Sequence, residues 1–125
     1  RGRALSTTWH SQYGAAVEQA RALLAGKRIA DMRITWHEDV NKYHPAQDWV
    51  WEAEGFGVFD PGINALSIAS RIMPGKLMLD DAVLRVPANR QQPIVVRLTM
   101  SSPAAEAPIQ ATFDWCPAQE DEWTI

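Results

Sequence analysis

The chain has 125 residues, 46% hydrophobic and 22% charged, which fits one globular domain and excludes a disordered tail or a collagen-like rod. Its 12 Lys and Arg against 15 Asp and Glu give a formal net charge of -3, so the basic footprint of a nucleic-acid binder is absent. A single cysteine, Cys116, excludes an internal disulfide and a multi-thiolate metal site, and runs as short as Ile94-Val95-Val96 exclude a membrane-spanning helix.

The run Ala4–Trp9 alternates enough to predict a strand ending at His10. Ser11 sits where an N-cap belongs, and Tyr13, Val17, Ala20, Leu23 and Leu24 recur at spacings of three and four. That spacing predicts an amphipathic helix from about Gln12 to Ala25, stopped by Gly26. From Lys27 the pattern is strand-like, with Ile29, Met32, Ile34 and Trp36 on one face and a register shift between Ile29 and Met32. Residues 38 to 57 mix charges, Gly and Pro with two tryptophans and read as a long loop, of the kind that is usually functional in a compact domain. Pro61–Met73 reads as the second helix, apolar along Ile63, Leu66, Ile68, Ala69 and Ile72 and ended by Pro74-Gly75. Strand patterns follow at about Leu77–Val86, Pro93–Met100 and Ile109–Trp115, and Trp123 begins another. Short connections at 87–90 and 101–103 favour antiparallel neighbours. The expected class is α+β: a mostly antiparallel open sheet with two main helices packed on one face.

Arg1-Gly2-Arg3 is followed by no apolar core, so no signal peptide is expected, and the single thiol is in keeping with the cytoplasm. The chain opens on Arg1 directly before a strand-like run and closes on the alternating Glu122-Trp123-Thr124-Ile125. Both ends predict a piece of a longer protein.

The richest stretch for chemistry is Glu54-Gly55-Phe56-Gly57-Val58-Phe59-Asp60-Pro61-Gly62-Ile63-Asn64. Pro61 suits the first helical position, which makes Asp60 the N-cap. Asn64 follows one helical turn later, so the two side chains share a face where free N–H groups favour a polar or anionic ligand. The competing reading is that Asp60 only caps its helix, which would blunt it as a base. His10 is a candidate at a strand end, against the alternative of a solvated histidine. Trp49 and Trp51 flank Val50 and would point the same way from an extended segment, as a sugar-stacking pair or as core. Glu52 could accept hydrogen bonds from hydroxyls or be an ordinary surface charge. His10, His37 and His44 show no metal spacing, so no metal is expected. Glycine-rich nucleotide motifs are absent, since Gly55-Phe56-Gly57 runs into Asp60-Pro61. Cys116, beside Pro117, reads as an inert packing thiol.

Taken together, Ala4–Trp9 with His10, the helix ending Leu23-Leu24-Ala25-Gly26-Lys27-Arg28-Ile29, and the segment Gly55–Asn64 resemble the glucose-fructose oxidoreductase/inositol dehydrogenase family. The likeness is strongest to bacterial sugar 1-dehydrogenases acting on D-galactose or L-arabinose, and it covers nearly the whole chain. The family's D-x-G-x-H/N at a helix start matches Asp60–Asn64, with Asn64 where many members have His. The resemblance implies an α+β C-terminal substrate domain over residues 11–125, truncated at its end. Residues 1–10 would be the last strand and exit of a Rossmann domain that binds NAD or NADP. It implies oxidation of an aldopyranose at C1 to the lactone, with Asp60 as base or relay and Asn64 orienting the sugar. His10, Trp49, Trp51 and Glu52 would be substrate contacts, with no cofactor-binding residue in this chain. The family's Glu-Lys-Pro lysine motif does not occur here, so the chain by itself is expected to be inactive. The alternative is a non-catalytic sugar-binding or dimerising module. A homo-oligomer is expected through an uncovered apolar sheet face.

Overall fold

The computed structural model describes residues 2–6, 8–117 and 120–125. Among them the chain builds one sheet from β1 (Arg33–His37), β2 (Met78–Arg85), β3 (Val95–Ser101), β4 (Ile109–Asp114) and β5 (Glu122–Thr124), in the order β2-β3-β4-β1-β5. The alternation that marks β3 and β4 also sets their register. Val96 lies opposite Phe113, Leu98 opposite Ala111 and Met100 opposite Ile109, and Ile34 pairs with Ala111 on the far side of β4. These apolar side chains share one buried face, as a period of two requires.

Helix α3 (Phe59–Ile72) lies on that face, and α1 (Val17–Leu24) packs against α3. The expected architecture, an open and mostly antiparallel sheet with two main helices, is the one observed. Gly62 explains how close α3 comes: a Cβ there would sit 2.7 Å from the Phe113 ring, so only glycine lets the first turn of the helix rest on β4.

Several boundaries and pairings differ from expectation. β1 and β4 run parallel, because residues 38–108 carry the chain across the sheet between them and no hairpin joins the two. Ala4–Trp9 predicted a strand, but residues 2–6, 8 and 9 lie exposed with no strand partner. An extended segment becomes a strand only where a neighbouring ladder satisfies its amides. The first helix starts at Val17, not Gln12; His10–Tyr13 forms a 3-10 turn, and Gly14 separates the two. The supposed long loop at 38–57 holds a short helix α2 (Val40–Tyr43), capped by Asp39, and a second 3-10 turn at Asp48–Trp51.

The open face of the sheet is not apolar. Its centre presents Arg97, Thr99, Gln110 and Thr112, and exposed apolar side chains gather along the edge strand β2, with Val83 beside Arg97 on the open face and Leu79 and Leu84 on the other. At the opposite edge, β5 is fastened by side chains. Trp123 packs on Trp36 and Tyr43, at 5.9 and 6.1 Å between ring centroids. Asp121, just before β5, accepts the Tyr43 hydroxyl at 2.7 Å and pairs with Lys42. Among the described residues no helix is long and apolar enough to cross a membrane.

Candidate active site

Helix α3 begins at Phe59, so Asp60 stands inside the first turn and not at the N-cap; Val58 holds that position without a side-chain bond. The expected cap is therefore replaced by backbone bonds, with the Gly62 N–H donating to the Val58 carbonyl at 3.1 Å. Pro61 is tolerated because its missing N–H would find no helical partner so early in the helix. Freed from capping, the Asp60 carboxylate turns to His44, with Oδ2 3.4 Å from Nε2. It also opens on a cleft of about 260 Å³ lined by Trp9, Phe56, Phe59 and Ile63. That size lies just below the ~300–1,000 Å³ of drug-sized ligand sites. An apolar, aromatic wall around one carboxylate suits a small molecule with C–H faces to stack and a hydroxyl to offer.

Asn64 is half-buried one turn further along α3. Its Oδ1 accepts from the Ser11 hydroxyl at 2.7 Å, and among the described residues its Nδ2 has no partner. Ser11, expected as a helix cap, thus engages the amide oxygen and leaves the nitrogen as the group's donor, although Asn64 itself lines neither of the two clefts at this end of α3. The adjoining cleft of about 360 Å³ shares Trp9 and Ile63 with the first. Its ionisable group, Arg71, is already held by Glu18 at 2.7 Å. The arginine draws the Glu18 carboxyl below the ordinary range, so that pair is a tether between α1 and α3 and offers no base.

The other residues singled out from the sequence are placed less centrally. His10 is exposed in the first 3-10 turn and lines neither cleft; Trp9 faces them in its place. Trp49 and Trp51 do not point the same way, because they lie in a 3-10 turn and not in an extended strand. Trp49 is half exposed, while Trp51 packs edge-on against Trp115 at 5.6 Å with the Arg90 guanidinium 5.5 Å from its ring. Glu52 is exposed, and its backbone carbonyl accepts from Gln92 at 3.0 Å.

His44 is the residue that sequence reasoning passed over. Its ring packs at a tilt against Trp115, 4.7 Å between centroids, and its Nδ1 lies 3.3 Å from the Gln47 side-chain oxygen. Trp115 is fully buried, and its indole N–H donates to Glu38 at 3.3 Å; the same carboxylate accepts from Trp36 at 2.8 Å. No spacing rule joins His44 to Asp60, since α2 and α3 meet only through the fold. Cys116 is half-buried, and burial together with Asp114 pushes its thiol up, which keeps it unreactive.

A dinucleotide does not fit the glycines present. A Cβ on Gly55 would lie 2.5 Å from the Val50 carbonyl oxygen, and one on Gly57 2.5 Å from that of Pro93. Both glycines admit neighbouring backbone, and Gly57 also takes a left-handed φ of 51°. Neither is free to cradle a phosphate. Among the described residues no group of three or more His, Cys, Asp or Glu could hold a metal ion.

The structure superposes on a crystal structure of D-galactose-1-dehydrogenase from Rhizobium etli with a TM-score of 0.87 and 45% identity, over 93% of this chain and 37% of that one. The sequence is 43% identical over 113 residues to a galactose 1-dehydrogenase of Pseudomonas fluorescens, matching 90% of this chain and 36% of the relative. The chain is a homologue of part of the galactose 1-dehydrogenases and spans little more than a third of their length. No family model matches it.

Proposed function

We propose that this chain is the substrate-side portion of a cytoplasmic NAD(P)-dependent dehydrogenase that oxidises an aldopyranose, D-galactose or L-arabinose, at C1 to the lactone. In that enzyme residues 1–10 lead out of a preceding dinucleotide-binding domain and residues 11–125 belong to the substrate domain. The observation that carries the reading is the Asp60 carboxylate, untied from its own helix amides and facing an aromatic cleft beside His44. The likeness to galactose 1-dehydrogenases names the sugar class.

Oxidation at C1 removes a hydride and a hydroxyl proton; a nicotinamide held by the rest of the enzyme would supply the hydride acceptor. The proton is this chain's task. Asp60 takes it as general base, a role of about 10²–10⁴-fold in rate. Asn64, its oxygen engaged by Ser11, donates Nδ2–H to a sugar oxygen, and Trp9 and Phe56 stack on the ring. His10, Trp49, Trp51 and Glu52 lie outside this cleft, and any contact they make with the sugar is at its outer edge. The chain alone binds no dinucleotide and turns over no sugar.

Asp60→Asn in the complete enzyme tests the reading. Its kcat/KM should fall at least ~10²-fold with folding unchanged, and wild-type kinetics would defeat the assignment. A second reading, a self-associating module without catalysis, is favoured only by the apolar side chains exposed along β2. Such a contact would use that edge and not the polar open face.

A further inference from the structure

We infer that His44 carries the proton taken up by Asp60 out of the substrate cleft and into a second cleft that His44 itself lines. The inference rests on the reading of Asp60 as the base. His44 connects to the substrate cleft through Asp60, which lines it and lies 3.4 Å from Nε2, and itself lines a separate cleft of about 260 Å³ with Asn41, Gln47, Asp48, Trp51 and Arg90. The Asp60 side chain is 36% exposed and that of His44 15%. A sugar seated over Asp60 closes the direct path to water, so a proton collected there needs another exit.

The ring is set up to provide one. The Gln47 oxygen, 3.3 Å from Nδ1, accepts a hydrogen and so places it on that nitrogen, leaving Nε2 to receive a proton from the carboxylic acid formed at Asp60. The sugar O–H bond breaks and the Asp60 O–H bond forms; that proton then passes to Nε2. The imidazolium releases its Nδ1 proton to water in the second cleft and regains the starting tautomer by exchange with the same water. One proton leaves for each hydroxyl oxidised. The charged groups that face His44 are Asp60 from α3 and, across the second cleft, Asp48 and Arg90, which are paired with each other at 3.4 Å. Below the ring, Glu38 is engaged by the Trp115 indole. Among the described residues Asp60 is thus the group placed to exchange a proton with Nε2. His44 acts through Asp60 and is a positioning and relay residue.

The test uses the complete enzyme with D-galactose. In His44→Ala, kcat should fall roughly 10²-fold while the sugar KM stays within about twofold, and free imidazole should restore kcat in proportion to its concentration. A loss that imidazole does not relieve would reduce His44 to a packing partner of Trp115 and overturn the relay. If His44→Ala does not fold, His44→Gln, which keeps a polar group against Asp60 but cannot shuttle a proton, decides the matter: a matching fall in kcat supports the relay, and wild-type kcat overturns it. Asp60→Asn separates the two ideas. If it is inactive while His44→Gln turns over normally, only the relay fails; if it is itself fully active, the reading of Asp60 as base fails first.

Discussion

The indole of Trp115 and the imidazole of His44 lie 4.7 Å apart between ring centroids, with 55° between their planes. The contact ties the core to the cleft, since Trp115 is fully buried and anchored by Glu38 while His44 faces Asp60. The position of an imidazole near the surface is therefore decided by a carboxylate in the interior.

Glu38 gives the first prediction. It is 7% exposed and accepts both indole N–H groups, of Trp36 and Trp115. Glu38→Ala leaves two donors unpaired beside a new cavity and should cost about 2–4 kcal/mol, read as a lower urea midpoint at unchanged slope. Glu38→Gln keeps one acceptor and should cost less. Equal losses in the two variants would mean that the carboxylate oxygens are not what holds the indoles.

A second prediction concerns Asn64 and its support. In the complete enzyme Asn64→Ala should lower kcat/KM about 10-fold or more by removing the donor to the sugar. Ser11→Ala should give a smaller loss of the same kind, because the amide stays but can turn over. The double variant should match Asn64→Ala alone, since the two form one unit. Additive losses would show that Ser11 does not act through Asn64.

The third prediction follows from acid. The Lys42 ammonium, with the Tyr43 hydroxyl after it, holds the Asp121 carboxyl below its ordinary value, and Asp121 in turn raises Lys42. A lowered carboxyl stabilises the folded state fully above the ordinary aspartate value, and the contribution disappears as pH falls through the lowered one. A raised ammonium contributes below the ordinary lysine value and loses its share only as pH climbs through the raised one. Between these limits the fastening of β5 is intact. Below about pH 3.9 the amides of Glu122–Thr124 should exchange faster with solvent while those of β3 and β4 do not. Asp121→Asn should loosen β5 already at neutral pH and remove the acid dependence. The same pH response in that variant would refute the role given to Asp121.

The strands β2, β3 and β4 could be read from the sequence within a residue or two, and Trp123 foretold β5; for β3 and β4 alternation reports directly which face is buried, whereas β2, exposed along its whole length, showed only in its composition and its turn-bounded position. Helix α3 was equally plain, though its start was misread: Asp60 before Pro61 has the pattern of a cap, and only the backbone bond from Gly62 to Val58 releases it. The pairing of β1 with β4 and the meeting of His44 with Asp60 were not legible, because periodicity says which face an element buries and not which distant element covers it. Trp49 and Trp51 misled for a related reason. Spacing two means one face in a strand but opposing directions in a tight helical turn, and the sequence around them does not choose.

The position of β1 inside the sheet has a consequence for how the molecule is made. β2, β3 and β4 are neighbours in sequence and can zip up as a meander, but β1 must wait for β4, whose residues come more than seventy positions later, and only then has β5 an edge to join. Such late, distant closure slows the search for the native state. In a refolding experiment the meander's amides should gain protection first, those of Arg33–His37 after them and those of Glu122–Thr124 last, so the strand made earliest in synthesis would wait for three that are made later.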